Sequence, residues 1–315
     1  MWQPLKKGDL VDVVAPGFRV SESHLQGAIR FLHEIGLQAR VPRDIFGDDI
    51  VCGQVDKIRL AHLKSAILAK DSQAIWCLRG GYGAIRLIDA IAKIKKPRRP
   101  KLFIGYSDAV TLHNFFNRFW KWPTLHGPLL DRLGQHTLPE ENVDELLDLV
   151  FGRRKEIIHK NLLPLNLSAR KRVARKENAG SINGKVYGGN LTVVQSVLGT
   201  RYAKIPQDAI LFFEDIGERG YRIDRILVQL RQAGYFARTK AIVFGQFTEC
   251  LEKSGEDRVP GVIQRFADEM KIPVFKNLQV GHGNLQRAVP MGTPARIVCV
   301  DRQSVDLNIR AGFGS

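Results

Sequence analysis

A single serine, Ser107, stands where the residue types around it could make it reactive. In residues 101–116, "KLFIGYSDAVTLHNFF", an apolar run ends at Gly105, and apolar residues at helical spacing resume at Val110. This pattern predicts a strand, a turn and a helix, with Ser107 on the turn. A serine there is either the N-cap of the helix, which its residue type favours, or a nucleophile on a strand-to-helix turn. The nucleophile motif G-x-S-x-G is incomplete, because Ala109 replaces its second glycine.

A glycine-rich turn, "RGGYG" at residues 79–83, follows another apolar run. Gly80, Gly81 and Gly83 let backbone N–H groups face a ligand without an obstructing Cβ. Such a turn could stabilise an oxyanion or hold a phosphate, although it matches neither GxGxxG nor the Walker A pattern. A plain tight turn is the simpler alternative. Because the carboxyl ends of parallel strands meet at one edge of a sheet, we expect this turn on the same edge as Ser107.

A nucleophilic serine also needs a histidine as its base and a carboxylate that orients the histidine. Four of the eight histidines fall in predicted helices, where a solvated or core position is the expectation: His24, His33, His62 and His113. His126 and His282 lie in glycine-flanked loops, and we select His282 because it directly follows the run "VFKNLQV". In "AILFFEDIG", Glu214 and Asp215 follow an apolar strand, and spacing alone leaves these two acids nearly equal.

Alternating strand and helix patterns carry these residues in the first half of the chain. Strands are predicted over residues 9–16, 37–42, 74–80 and 101–106. Helices are predicted over residues 21–36 with Ser21 as N-cap, over 55–70 and 83–94, from Asp108 onward, and over 139–152. Strands that alternate with helices form parallel βαβ units, so residues 1–152 are expected to form an α/β domain, a doubly wound parallel sheet.

The second half is predicted to be a separate mixed α/β domain. Residues 153–182 are basic and include "ARKENAGS", a composition typical of a linker. Ordered patterns return in residues 183–315: strands over 209–215 and 240–247, helices over 221–234 and 260–270, and an ordered run over 274–283. Two strand-like runs, "ARIVCVD" and "SVDLNI", make the end of this domain strand-rich.

The composition is that of a globular protein, with 44% hydrophobic and 25% charged residues among 315. The start of the chain lacks the apolar region of a signal peptide, and no apolar run is long enough to predict a membrane-spanning helix. The cysteines Cys52, Cys77, Cys250 and Cys299 are scattered. Their spacing argues against disulfides or a zinc site and fits a reducing cytoplasm. We therefore expect a cytoplasmic protein without a metal or cofactor.

The chain is strongly basic, with a formal net charge of +16. Much of the excess lies in "KIKKPRRPK" (93–101) and "SARKRVARK" (168–176). No aromatic residues interleave with these runs to stack bases, so a solvated surface is favoured over a nucleic-acid site. Mild attraction of an anionic small substrate is a third possibility.

Seven short motifs together resemble the LD-carboxypeptidase family of serine peptidases, which includes muramoyltetrapeptide carboxypeptidases and microcin C immunity-type peptidases. They run in order along nearly the whole chain: "LKKGDLVDVVAPG", "RGGYGAIRLID", "GYSDAVTLH", "HGP", "GKVYGGNLTVVQSVLGT", "LFFEDIGERGYRIDRILVQL" and "VGHG". The resemblance places the family's nucleophile on Ser107, its glutamate on Glu214 and its histidine on His282. It also implies that the backbone amides of Gly81 and Asp108 form the oxyanion hole.

The resemblance further implies a fold and a reaction. The fold would be an N-terminal flavodoxin-like domain and a C-terminal swivelling β/α domain, often in a homodimer. The reaction would release D-alanine from the L-centre of meso-diaminopimelate in muropeptide tetrapeptides during cell-wall recycling. A small peptide is then the expected partner, and neither nucleic acid nor a membrane. One departure is Gly17, in "APGFR", where "APS" is commoner in the family; it touches no catalytic role.

Four alternatives remain open. An α/β-hydrolase would have the same order of serine, acid and histidine, but it would normally carry the second glycine of the nucleophile motif. A microcin C-type peptidase would use the same residues on a peptidyl- or aminoacyl-nucleotide, although the chain has no obvious long insertion before "EDIG" to cover a nucleotide. The order "SARK", "SIN" and "KSG" is that of penicillin-binding peptidases, but the first is too charged to open a buried helix. A non-catalytic nucleic-acid-binding module would bind with an affinity that falls steeply with salt.

Overall fold

The chain forms two compact units in the computed structural model, which describes residues 1–174, 181–300 and 305–314. Unit 1 consists of Met1–Lys155, Arg287–Met291 and Ala311–Ser315. Unit 2 consists of Glu156–Gln286 and Gly292–Arg310. The chain therefore passes from one unit to the other several times, whereas the predicted boundaries, 1–152 and 183–315, assume a single passage.

The secondary structure alternates along most of the chain. In chain order, the strands are β1 (Leu10–Val14), β2 (Gln38–Arg40), β3 (Ala74–Cys77), β4 (Leu102–Gly105), β5 (Thr124–His126), β6 (Glu156–Pro164), β7 (Ile182–Asn190), β8 (Ala209–Ile216), β9 (Thr239–Thr248), β10 (Val274–Lys276), β11 (Val289–Met291), β12 (Pro294–Cys299) and β13 (Val305–Arg310). The helices are α1 (Glu22–Glu34), α2 (Asp56–Leu68), α3 (Ala84–Ile91), α4 (Val110–Phe115), α5 (Leu130–Gly134), α6 (Glu140–Val150), α7 (Leu167–Val173), α8 (Leu191–Ser196), α9 (Gly220–Gln232) and α10 (Val259–Glu269). A 3-10 turn, Ser107–Ala109, precedes α4, and a π-helical segment, Phe116–Trp120, follows it.

Unit 1 is an α/β unit around one twisted sheet. In the described part of the chain its strand order is β2-β1-β3-β4-β5-β11, with all pairs parallel except β5–β11. The order 2-1-3-4-5 is that of flavodoxin-like doubly wound folds. Helix α1 contacts α5, and α3 contacts both α2 and α4, as expected of two helical layers. The predicted fold class of the N-terminal region is confirmed.

The elements that the sequence missed in unit 1 are short or come from far along the chain. Strand β5 has three residues, too few for an alternating pattern to be recognised. Strand β11 joins the sheet edge from near the end of the chain, pairing Val289 with His126. In contrast, the predicted cap of α1 is present, since the Ser21 hydroxyl accepts the N–H of His24.

Unit 2 is built on a closed barrel. Its strand order among the described residues is β10-β6-β13-β12-β7-β8-β9, and β10 closes the circle by pairing with β9 and β6. The predicted final strands correspond to β12 and β13, which pair antiparallel. The predicted run over 274–283 is a strand only at Val274–Lys276 and continues as a loop.

The prediction of a linker over residues 153–182 is wrong where the structure describes this stretch. Strand β6 pairs with β13 and buries Ile157 and Leu162, while its other side chains remain exposed or half-exposed apart from His159. Helix α7 is capped by Asn166, which accepts the N–H of Ala169. Basic residues occupy the solvent-facing positions, so the composition resembles that of a linker although one face packs in the barrel. Residues 175–180 lie outside the described residues. No helix in the described ranges is both long and apolar enough to cross a membrane.

Candidate active site

Ser107 lies in the turn between β4 and α4, with its backbone in the left-handed region at φ +61°. Non-glycine residues rarely adopt this conformation, which costs roughly 1–3 kcal/mol and clusters at functional sites. Ser107 is partly exposed although Tyr106 and Asp108 beside it are buried. The N-cap of α4 is Ala109, and no side chain caps that end. The N-cap role that the serine's residue type favoured is therefore absent from the structure.

The glycine-rich loop after β3 packs directly against the Ser107 turn. A Cβ built on Gly80 would lie 2.8 Å from Cβ of Ser107, so only glycine permits this approach. Gly81 has φ +98°, and a Cβ there would lie 2.3 Å from the ring of Phe18. The N–H of Phe18 donates to the carbonyl of Gly80 at 2.9 Å. The loops after β1, β3 and β4 thus meet at one edge, as expected of parallel strands.

The side chain of Asp108 connects the two turns. Its Oδ2 accepts the N–H of Ala84, the first residue of α3, at 2.8 Å, and the N–H of Gly83 also favours the ionised form of this carboxylate. Asp108 is only 3% exposed. Burial raises its pKa to about 7, against the opposing effects of the two N–H groups and of Arg59. The sequence did not indicate this contact, because the resemblance concerns only the backbone amide of Asp108.

The two histidines closest in sequence to this turn are core residues. His113 is fully buried, and hydrogen bonds join its Nδ1 to Thr124 Oγ1 at 2.7 Å and its Nε2 to the Gly105 carbonyl at 2.8 Å. Burial lowers the pKa of His113 to about 4, so the ring is neutral at neutral pH. His126 is also fully buried, in β5. His113 therefore supports the residue before the turn and is not placed as a solvent-facing base.

Glu214 lies in β8, between the parallel strands β7 and β9. Every residue of this strand from Ala209 to Asp215 is buried, and Glu214 is 0% exposed. A carboxylate in such a place is costly unless it has a charged or hydrogen-bonding partner. The partner of Glu214 is His282.

His282 Nδ1 lies 2.6 Å from Glu214 Oε2. The His282 loop runs along β9, because Leu278 donates to the Phe244 carbonyl and Gln246 donates to that of Val280. A carboxylate at Nδ1 fixes the tautomer and stabilises the imidazolium form. Of the two acids that sequence spacing left equal, Glu214 is the one that contacts His282.

Asp215 has a different set of partners. Its carboxylate accepts Asn190 Nδ2 at 2.8 Å, the N–H of Thr192 at 2.9 Å and the Thr192 hydroxyl at 2.8 Å. Its Oδ1 also accepts the N–H of Ile216 at 2.9 Å. Burial, followed by the charge of Glu214, raises the pKa of Asp215 to about 6. Asp215 thus fixes the beginning of α8 and does not orient the histidine.

The predicted site residues divide between the units. Ser107, Gly81 and Asp108 belong to unit 1, and Glu214 and His282 belong to unit 2. In unit 1, Ser107 lies next to Asp108 in one turn and beside the loop that carries Gly81. The backbone amides of Gly81 and Asp108 are the two assigned to the oxyanion hole. Unit 2 brings the histidine together with the glutamate.

The basic run and the penicillin-binding motifs, on which rival hypotheses rest, do not include the predicted site residues. The basic run 93–101 precedes β4, whereas Ser107 follows that strand, so the run lies toward the other end of β4. Ser168 is in the short, partly exposed helix α7 and does not open a buried helix. The "KSG" motif at 253–255 lies in a turn between β9 and α10, not in a strand.

Comparisons with known proteins assign the chain to a family. A model described as the LD-carboxypeptidase N-terminal domain matches residues 11–127, and one described as the C-terminal domain matches residues 183–297. The murein tetrapeptide carboxypeptidase of Pseudomonas aeruginosa is 30% identical over 300 residues, which span 93% of this chain and 94% of that protein. The chain belongs to the LD-carboxypeptidase family, as its motifs predicted, and is therefore a peptidase.

Solved structures agree with this assignment. The muramoyltetrapeptide carboxypeptidase of Oxalobacter formigenes superimposes with a TM-score of 0.81 at 25% identity, covering 96% of this chain and 98% of that one. An MccF-like protein from Bacillus anthracis also has a TM-score of 0.81, at 23% identity, covering 98% and 99% of the two chains. The second likeness establishes a shared fold only.

Proposed function

We propose that this peptidase releases D-alanine from the tetrapeptide L-Ala-D-Glu-meso-diaminopimelate-D-Ala through an acyl-enzyme. Ser107 attacks the carbonyl of the diaminopimelate L-centre, and His282 takes the serine proton while Glu214 orients its ring. The N–H groups of Gly81 and Asp108 stabilise the oxyanion. The observation that carries the proposal is the 2.6 Å contact between His282 Nδ1 and the buried Glu214 carboxylate.

The remaining steps follow from the same residues. His282 returns its proton to the nitrogen of the departing D-alanine as the amide bond breaks, which leaves an ester on Ser107. A water molecule then attacks that ester, His282 accepts its proton, and the serine hydroxyl is restored. The left-handed backbone of Ser107 supports this role, because strain of this kind persists where a reactive side chain must be presented.

The choice of substrate is supported by the name of the P. aeruginosa relative, a murein tetrapeptide carboxypeptidase. The acyl-transfer machinery would act on any amide, so preference must come from how the scissile residue is held. An L-centre and a D-centre reverse the side-chain direction at the attacked carbonyl. A misplacement of about 1 Å can cost roughly a hundredfold in rate. Such an enzyme would serve cell-wall recycling by shortening tetrapeptides to tripeptides.

The test offers two peptides to the full-length protein. We expect D-alanine from the tetrapeptide and none from the pentapeptide that ends in D-Ala-D-Ala, with products separated by chromatography. The Ser107→Ala variant, purified identically, controls for contaminating peptidases. Equal release from both peptides, or release from the pentapeptide alone, would contradict the LD specificity.

A microcin C-type activity is the alternative, since it would use the same serine, histidine and glutamate. It is tested with an aminoacyl-nucleotide substrate in the same preparation. A higher kcat/KM for that substrate than for the tetrapeptide would replace the muropeptide with the nucleotide and leave the catalytic residues unchanged. Binding of nucleic acid that persists in Ser107→Ala and falls steeply with salt would instead favour the binding-module hypothesis.

Two further expectations stay predictions. The resemblance implies a homodimer, which light scattering of the eluting protein would detect. The scattered cysteines imply a cytoplasmic location, which fractionation of the source cells would test.

A further inference from the structure

The backbone around Gly81 is held from two sides. Before Gly81, the carbonyl of Gly80 accepts the N–H of Phe18 at 2.9 Å. After Gly81, the carbonyl of Tyr82 accepts a hydrogen bond from Cys52 Sγ at 3.5 Å. Both donors lie outside the glycine-rich loop, so the position of Gly81 depends on residues from the neighbouring loops.

The third contact to this loop comes from the Ser107 turn itself. The Asp108 carboxylate accepts the N–H of Ala84, which directly follows this loop, at 2.8 Å. Asp108 therefore carries one N–H assigned to the oxyanion hole and also ties down the loop that carries the other, at Gly81.

The packing around this carboxylate is close. A Cβ built on Gly17 would lie 2.9 Å from Oδ2 of Asp108 and 2.4 Å from the carbonyl oxygen of Gly80. Only glycine lets the loop after β1 approach both groups in this way. The one departure from the family motif thus falls beside Asp108.

The charged and titratable groups that face Asp108 come from three elements. Arg59 of α2 has a fully buried guanidinium bonded to the carbonyl of Pro16, and its charge favours the ionised form of Asp108. Burial, followed by smaller effects that include the charge of Asp108, raises the pKa of the Cys52 thiol, before α2, and of the Cys77 thiol, in β3. A buried carboxylate is costly for the fold, so its retention next to a reactive serine suggests a function.

We propose that the side chain of Asp108 is a positioning residue for the oxyanion hole. By holding Ala84, at the end of the glycine-rich loop, it keeps the N–H of Gly81 directed at the place where negative charge develops. This inference rests on the proposed function, because it concerns the reaction of Ser107. It adds a role for the carboxylate to the one already assigned to the backbone amide.

The variant that tests it is Asp108→Asn. Asparagine has the same shape but keeps one acceptor oxygen and places an NH₂ group among backbone donors, so the loop loses a contact. Loss of one oxyanion donor costs about 10²–10³ in kcat, and a displaced donor should cost less. We expect kcat for the tetrapeptide to fall roughly 10- to 100-fold while KM changes less than about twofold.

The matched control is Asp12→Asn. Asp12 is a buried carboxylate of the same sheet, in β1, bonded to Lys101, Ser72 and Arg40. Ser72 and Lys101 precede β3 and β4, and Arg40 is the last residue of β2, whereas Asp108 follows the end of β4. We expect Asp12→Asn to lower Tm and leave kcat and KM at the wild-type values.

A second variant, Asp108→Ala, keeps the test usable if Asp108→Asn does not fold. Alanine removes the acceptor without placing an NH₂ group among the backbone donors, and we expect the same fall in kcat at nearly constant KM. Wild-type kcat in every folded variant, a rise in KM alone, or an equal fall in kcat in Asp12→Asn would overturn the inference.

A fluorophosphonate probe separates failure of this inference from failure of the proposed function. Labelling of Ser107 in the wild-type protein, mapped to its peptide, together with D-alanine release, shows that the serine reacts as proposed. If the wild-type protein neither labels nor releases D-alanine, the proposed function fails and the inference with it. If the wild type reacts and Asp108→Asn reacts at the same rate, the inference alone is wrong.

Discussion

The Ser107–Asp108 pair of unit 1 and the Glu214–Asp215 pair of unit 2 are built alike. Each pairs a proposed catalytic residue with a buried aspartate directly after it. Asp108 accepts N–H groups at the beginning of α3, and Asp215 accepts the N–H and hydroxyl of Thr192 near the beginning of α8. In both units the aspartate joins the end of one strand to a helix that follows a neighbouring strand.

The two pairs differ in what precedes the aspartate. Ser107 lies in a strained turn and is partly exposed, whereas Glu214 lies within a strand, where the pairing with β9 shifts register, and is fully buried. A nucleophile has to be reached by the substrate, and the orienting carboxylate only by its histidine. The comparison therefore predicts different consequences of substitution: loss of chemistry at Ser107, loss of orientation at Glu214, and loss of local order at the two aspartates.

The largest expected fall in kcat follows substitution of Ser107 or His282. Ser107→Ala and His282→Ala should each lower kcat by roughly 10⁴- to 10⁶-fold, because each removes a step that the others cannot replace. The double variant should be little worse than either single variant, since the residues act as one unit. Initial rates of D-alanine release and thermal melting measure the two properties separately. Losses that multiply in the double variant would contradict a shared catalytic unit.

Substitution of the two acids of unit 2, Glu214 and Asp215, should lower kcat by smaller and unequal factors. Glu214→Gln should lower kcat by about 10³- to 10⁴-fold, because an amide at Nδ1 does not stabilise the imidazolium or fix the productive tautomer. Asp215→Asn should change kcat less than about tenfold, and should reduce stability by about 1–3 kcal/mol because donors at Asn190 and Thr192 lose an acceptor. Equal losses of kcat in the two variants would mean that Asp215 also acts on His282.

Much of the fold could be predicted from the sequence where buried strands and amphipathic helices are long. The strands around the sheet of unit 1 and the strand that carries Glu214 are of this kind. The linker assigned over residues 153–182 failed because β6 buries only part of its side chains, and local composition does not show which strand it will pair with. Strand β11 was missed for the same reason, since its partner β5 is more than 150 residues away.

The candidate site could be predicted from the sequence only in part. Residue types indicated a serine, a histidine and two acids, and the resemblance chose among them. The contact from Asp108 to Ala84 had no sequence signal, because it joins two loops that meet only when β3 and β4 pair. An acid directly after a strand-to-helix turn could have indicated a cap, but not which helix it serves.

The last expected effect is a change of stability with pH. Asp108 and Asp215 should act in one direction and His113 in the other. Asp108 keeps its proton up to a pH of about 7 in the folded protein, and a solvated aspartate releases it near 3.8. Its contribution to stability is therefore complete below about pH 3.8 and lost as pH rises through about 7. Asp215, with a pKa of about 6, acts in the same direction. His113 acts in the opposite direction, since its lowered pKa removes stability as pH falls from about 6.5 toward 4.

These opposing contributions partly cancel in the wild-type protein, so the difference between wild type and Asp108→Asn is the informative quantity. Asparagine does not titrate, and the thiols of Cys52 and Cys77, whose pKa values burial raises, stay protonated between pH 4 and 7.5. The Tm of Asp108→Asn relative to wild type should therefore rise over this interval by roughly ten degrees, because the two pKa values differ by about three units at about 1.4 kcal/mol each. Melting curves of both proteins at pH 4.5, 6 and 7.5 would measure it. A constant difference would show that Asp108 ionises normally and that its carboxylate is charged throughout.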